Sequence, residues 1–258
     1  MGSPSPGRED TSVAVVCSSM SQHITILIPA YNTSRYIGQC LDSVLAQTYT
    51  DFDILVVDDG SVDQTVSIVQ SYMPRAPVSL LTLPHKGVTY ATHIGILNSR
   101  GPVIAIVDSD DMMYPNTLHI PAVQFDDPKI GFVWSEFQLS TGRRGWSHPL
   151  PDGISLYRAL MYKNWWKASH QRFFRKSVYM AGPQLNYSID RSSDFQLVLL
   201  LALSGCKTVH VSAKTYWYRI GRAGSLSSQG SHKQRTAVVE IKNWLFSEIT
   251  KRGLVEPR

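Results

Sequence analysis

Four runs in the first half of the chain are apolar at most of their positions: ITILI at 24–28, FDILVV at 52–57, VSLLTL at 78–83 and VIAIV at 103–107. A strand with one wet face alternates apolar and polar residues, whereas a near-continuous apolar run marks a strand covered on both faces. The segments between the runs have helical spacing instead. Ile37, Cys40, Leu41, Val44 and Leu45 fall on one face, and so do Val88, Ala91, Gly95 and Ile96 or Leu97. Ser61 with Gln64 reads as a capping box opening a helix that runs to about Tyr72. This alternation predicts an α/β fold with a mostly parallel sheet flanked by helices.

In such a sheet, ligands bind beyond the carboxyl ends of the strands. Polar segments occupy three of those ends: PAYN at 29–32, DDGS at 58–61 and DSDD at 108–111. The last places Asp108, Asp110 and Asp111 at the end of a buried strand with only Ser109 between them. Neighbouring carboxylates repel, and each costs free energy to desolvate. Asp and Ser are common in turns, which accounts for each segment alone. A bound cation accounts for the three carboxylates together.

The second half reads differently. Strands are expected at 132–139, 171–175 and 214–220, with a Leu-rich helix at 193–204 and a last helix at 232–251. The last helix places Val238, Ile241, Leu245 and Ile249 on one stripe. The six tryptophans all lie in this half, mostly as core residues, but Trp165 and Trp166 sit in a polar loop and are the candidates for stacking on a sugar. The 3 cysteines, Cys17, Cys40 and Cys206, form neither a disulfide framework nor a metal spacing, which suits a reducing cytosol. The run LVLLLAL at 197–203 is far short of the ~20 residues of a membrane span. A net charge of +5 suits a phosphorylated ligand, a nucleic acid or an anionic membrane surface.

Read together, the motifs resemble the GT-A glycosyltransferases of family 2. The segment ILIPAYNTSRYIGQCLDSVLAQTYTDFDILVVDDGSVDQT (26–65) is similar to the family's N-terminal signature, and HKGVTYATHIGILNSRGPVIAIVDSDD (85–111) to its next block. SSDFQLVLLLALSG (192–205) and YWYRIGRAGSLS (216–227) resemble the two later blocks. The resemblance implies an inverting enzyme that uses a nucleotide-diphosphate sugar, with Mn²⁺ or Mg²⁺ bridging the diphosphate and the strand-end carboxylates. Asp110 is then the direct metal ligand, and Asp108 contacts the ribose or a metal-bound water. Asp111 orders the loop. Asp58 accepts a hydrogen bond from a uracil base flanked by Pro29, Ala30 and Tyr31, and Lys86 and Ser109 complete the nucleotide contacts. Asp59 is either a base contact or a turn acceptor. Asp194, at the start of a helix, is the expected catalytic base, and a helix cap is the alternative use of an Asp there.

The implied organisation is a disordered leader at 1–19, a nucleotide-sugar-binding half at 20–111, an acceptor-binding half at 112–230, and a C-terminal helix and tail at 231–258. The expected acceptor is a glycan or lipid-linked glycan and not a nucleic acid, with the protein in the cytoplasm or at the inner face of a membrane. Some positions depart from the family pattern. Ser193 stands for Glu, Thr92 for Arg, His93 for Asn and His85 for Asn. The C-terminal block has Gly221 where a His is frequent, so Arg222 is the candidate cation for the diphosphate and His210 a remoter one. A nucleotidylyltransferase would need a Gly-rich loop that PAYNTSRY lacks. A haloacid-dehalogenase phosphatase would carry its Asp pair on the first strand. A non-catalytic nucleotide-binding module would not need Asp108, Asp110 and Asp194 together.

Overall fold

The computed structural model describes residues 22–145, 147–163, 168, 170–221 and 231–257. The expected leader at 1–19, Trp165, Trp166 and Arg222 lie outside the described residues. Strands β1 (Ile24–Ala30), β2 (Phe52–Asp58), β3 (Val78–Thr82) and β4 (Val103–Ile106) pair in parallel in the order β3-β2-β1-β4. Beyond β4 the same sheet continues through β7 (Arg172–Arg175), β6 (Ile130–Leu139), β8 (Lys207–Tyr218) and the short β5 (Met112–Met113). β7 runs antiparallel to both β4 and β6, while β6 and β8 are parallel. The result is one eight-stranded sheet, mostly parallel, as the spacing predicts.

The continuous apolar runs follow from this placement. Ile26 and Ile28 of β1 pack into one core with Ile54, Val56, Val103 and Ala105, while Leu27 points to the opposite core with Leu55, Val57, Ile104 and Ile106. Both faces of the sheet are covered, so both sets of alternate residues must be apolar. Helix α1 (Ile37–Leu45) buries Ile37, Cys40, Leu41 and Val44, the stripe expected from the sequence. Helix α3 (Val88–Asn98) approaches β1 so closely that a Cβ on Gly95 would overlap Leu27 Cδ1. Gly95→Ala is therefore expected to destabilise the fold by about 1–3 kcal/mol through overpacking. Chemical denaturation measures that loss, and an unchanged midpoint would show that the helix can back away.

Several elements differ from the sequence expectation. Helix α2 (Thr65–Tyr72) has Gln64 at the N-cap position and no side-chain cap. The expected capping box fails because Ser61 is occupied elsewhere: its hydroxyl accepts the Asn32 N–H, and its own N–H donates to Asp58 Oδ2. Asp63 takes over locally by accepting the Thr65 N–H. β8 begins seven residues before the expected start at 214, because its N-terminal part is only partly buried and carries little apolar signal. The short helices α4 (His119–Gln124), α5 (Leu156–Tyr162) and α6 (Lys176–Ala181) have no clear periodic pattern in so few turns.

Helix α7 (Ser193–Leu203) is buried at every position from Phe195 to Leu203, not on one side alone. It packs between the sheet and α8 (Ser231–Arg252), whose Ile241, Leu245 and Ile249 are buried as expected, with Val238 partly so. Among the described residues no helix is long and apolar enough to cross a membrane.

Candidate active site

The parallel register brings the polar segments to one edge. Ala30 pairs with Asp58, and the Asp59 N–H donates to the Ala30 carbonyl. Asn32, at φ 49°, and Ser61 lock the two loops together, since the Val62 N–H also donates to Asn32 Oδ1. Asp58 is 2% exposed. Its Oδ2 accepts the Ser61 N–H, while Oδ1 is buried without a hydrogen-bond partner among the described residues. A buried carboxylate oxygen left open is costly, and a ligand N–H satisfies it.

Asp59 has a structural task. Its carboxylate accepts the Lys86 and Gly87 backbone N–H groups, each at 2.9 Å, and His85 Nδ1 lies 2.8 Å from Oδ2. Asp59 thus ties the loop after β3 to the end of β2. The same tie lays the His85 ring on Tyr31, with centroids 4.0 Å apart and planes 13° from parallel. Tyr31 and His85 form an aromatic wall where a base is expected, with Pro29 and Ala30 behind it in β1. The Lys86 ammonium lies over the Tyr90 ring.

The acidic turn follows β4 directly. The Asp108 N–H donates to Tyr216 Oη, and the Asp111 N–H closes the turn onto the Asp108 carbonyl. Asp111 is 1% exposed, and its Oδ1 accepts the Arg219 N–H at 2.8 Å. Burial first, and then the charges of Asp108 and Asp110, push the Asp111 carboxyl well above the usual range. Arg219 braces the turn from outside. Its Nε donates to the Asp110 carbonyl, Nη2 donates to Gln39, and the guanidinium lies between the Tyr36 and Trp217 rings. Ser109 is buried within the turn.

Two residues from β7 and the segment leading into it complete the site. His170 Nε2 lies 3.6 Å from Asp108 Oδ2, and Arg172 Nη2 lies 3.5 Å from Asp108 Oδ1. Asp108, Asp111 and His170 bring ligand atoms within 4.8 Å of one another, and Asp110 stands outside that group. A divalent cation fits this donor set. Carboxylate oxygens suit Mg²⁺ and Mn²⁺, imidazole is accepted by Mn²⁺, and Asp111 Oδ2 is a buried oxygen with no hydrogen-bond partner among the described residues.

Asp194 lies in the first turn of α7, 35% exposed, with Oδ2 4.0 Å from Arg172 Nη1. It is not the cap residue: Ser192 holds that position, at φ 56°. Positive φ is uncommon outside glycine and costs about 1–3 kcal/mol, borne here by the surrounding fold. The loop before α7 is itself docked on α3. Thr89 donates to the Ile189 carbonyl, and Asp190 packs so tightly on Gly87 (φ 94°) that a Cβ there would overlap its carboxylate. That docking delivers Asp194 to the edge carrying Asp58 and Asp108.

His210 lies apart, mid-strand and half-buried against Trp134, and burial lowers its pKa. It is neither a surface residue nor a fully hydrogen-bonded one, since its Nε2 is buried without a partner among the described residues. His170 and Arg172 escaped the sequence reading. The available signal was a charged residue inside the apolar run of a buried strand, which requires an acidic neighbour.

The profile of Glycosyl transferase family 2 matches residues 25–182. Chondroitin synthase of Escherichia coli is 29% identical over 189 residues, covering 70% of this chain but only 27% of that protein. Among solved structures, S. aureus TarS in complex with UDP-GlcNAc superposes with a TM-score of 0.64 at 21% identity, covering 86% of this chain and 67% of the other. A mannosyltransferase from Pyrobaculum calidifontis in complex with GDP-Man and Mn²⁺ gives a TM-score of 0.64 at 17% identity, covering 87% of this chain and 64% of the other. The two structural likenesses establish the GT-A fold. The chain belongs to glycosyl transferase family 2.

Proposed function

We propose that this family 2 glycosyltransferase moves a sugar from a UDP-sugar to a hydroxyl of a glycan or lipid-linked glycan, with inversion at the anomeric carbon. The observation that carries the reading is the meeting of Asp58, Asp108 and Asp194 at one sheet edge, with the buried Arg172 within 4.0 Å of both Asp108 and Asp194. Asp58 Oδ1 takes the N–H of the base, beside the wall formed by Tyr31 and His85. Asp108, with Asp110 and Asp111 from the same turn and His170 beside it, holds the divalent cation. That cation supplies positive charge for the leaving diphosphate. Asp194 takes the proton from the acceptor hydroxyl as it attacks. The UDP-GlcNAc held by TarS supports the donor class, and the name of the Escherichia coli relative supports a glycan acceptor. The half-chain division, with the nucleotide-sugar residues before 112 and the acceptor residues after it, is part of this proposal, with His170 reaching the donor side from the second half. So is a peripheral membrane contact, which the exposed Val239 and Phe246 and the basic Arg235 and Lys242 of α8 support.

The test is a panel of UDP-hexoses, UDP-N-acetylhexosamines and GDP-mannose with Mn²⁺, read by nucleotide release and by thermal shift. A donor at a hundredfold excess over its Kd stabilises the fold by about 2.7 kcal/mol. A panel in which GDP-mannose alone stabilises the protein would overturn the uridine assignment. No stabilisation and no turnover with any donor would overturn the whole reading.

A further inference from the structure

Arg172 is the most deeply buried basic side chain among the described residues of the site. Its side chain is 4% exposed, and on β7 it pairs in register with Ile106 on one side and Trp134 on the other. A guanidinium cannot shed its charge, so its place in the sheet demands anionic neighbours. It has two. Nη2 lies 3.5 Å from Asp108 Oδ1 and Nη1 lies 4.0 Å from Asp194 Oδ2, both longer than a good charge-assisted hydrogen bond of about 2.7–2.9 Å. Its Nε is buried with no hydrogen-bond partner among the described residues. The guanidinium sits between the two carboxylates without closing on either.

We propose that Arg172 is a positioning residue that couples donor loading to the base. A divalent cation arriving at Asp108 brings positive charge beside the guanidinium and displaces it toward Asp194. The carboxylate of Asp194 is then held in place and aimed only when metal and nucleotide are present. This rests on the assignment of Asp108 to the metal and Asp194 to the base, and adds the residue that connects them.

The experiment uses the full chain as wild type, Arg172→Met, Asp194→Asn and the double variant. Mn²⁺-dependent UDP affinity is measured by calorimetry, and sugar transfer is measured alongside. Arg172→Met is expected to tighten Mn²⁺·UDP binding by about threefold or more, because a competing cation beside Asp108 is gone. It is also expected to lower transfer by at least about tenfold in the wild type and by less than about twofold in the Asp194→Asn background, as for residues that act as a unit. Arg172→Lys keeps the charge but cannot span both carboxylates. It is expected to keep wild-type Mn²⁺·UDP affinity and melting temperature while losing transfer, and it carries the test if the Met variant fails to fold. Weaker Mn²⁺·UDP binding in Arg172→Met, or equal losses of transfer in both backgrounds, would overturn the coupling and leave the base in place. Wild-type transfer by Asp194→Asn would remove the base, and the coupling with it.

Discussion

Asp194→Asn is expected to lower sugar transfer by about 10²–10⁴-fold while UDP in the presence of Mn²⁺ still binds within about fivefold of the wild type. The amide keeps the shape of the side chain and removes the proton acceptor. The proposed function places nucleotide affinity on other groups, namely the open Asp58 Oδ1, the Tyr31–His85 wall and the acidic turn. Folding also has little to lose. Asp194 is one position inside α7, 35% exposed, and the helix starts from Ser192 rather than from an Asp194 cap. The substitution removes an acidic charge near the positive end of the helix, worth about 0.3–1 kcal/mol, and the longer of Arg172's two carboxylate contacts, at 4.0 Å, while Asp108 stays beside the guanidinium. Transfer, UDP affinity and melting temperature measured on one preparation separate the roles. A loss of transfer below about tenfold, with folding intact, would leave the base to another group. So would retention of the donor's anomeric configuration in the product, since inversion is what calls for such a base.

Removing divalent metal is expected to abolish turnover, and Mn²⁺ or Mg²⁺ to restore it. Asp108, Asp110 and Asp111 lie within four residues, and Asp111 is 1% exposed. The crowding already holds the Asp111 carboxyl well above the usual range, chiefly through burial. Two phosphates cannot approach such a turn without a cation to bridge them to the carboxylates. Asp110→Ala and Asp108→Asn are each expected to lower transfer by about 10²-fold or more, in line with the several kcal/mol that a metal contributes to a developing charge. The Mn²⁺-dependent rise in melting temperature with UDP should shrink in both. Full turnover by Asp110→Ala in EDTA would overturn metal dependence. A wild-type thermal response to Mn²⁺ in Asp110→Ala, with the response lost in Asp108→Asn, would assign the ion to Asp108, Asp111 and His170 alone.

The chain spans about a quarter of the length of the Escherichia coli relative. Donor identity, acceptor and linkage therefore rest on the experiments above. Tyr90, His93 and Tyr187 form an aromatic group on and beside α3, with Tyr90 and Tyr187 edge to face at 5.3 Å.

The sequence by itself determined the parallel half of the sheet, the helices α1, α3, α7 and α8, and the three polar strand ends. Those features are periodic or local: a strand buried on both faces must be apolar along its length, and a strand end in a parallel sheet must open at the ligand edge. The structure was needed wherever a residue's role depends on a distant partner. Asp59 and Asp58 are adjacent and alike in sequence. One is consumed by the Lys86 and Gly87 backbone groups, and the other keeps an open buried oxygen. Ser61 had the spacing of a helix cap but was claimed by Asn32. Arg172 and His170 lie more than sixty residues from Asp108 and reach it only because β7 pairs antiparallel with β4. Local pattern fixes which residues prefer a helix, a strand or a turn. Which charges meet is decided by strand pairing across the sheet, and a buried charge is stable only where that pairing supplies its partner.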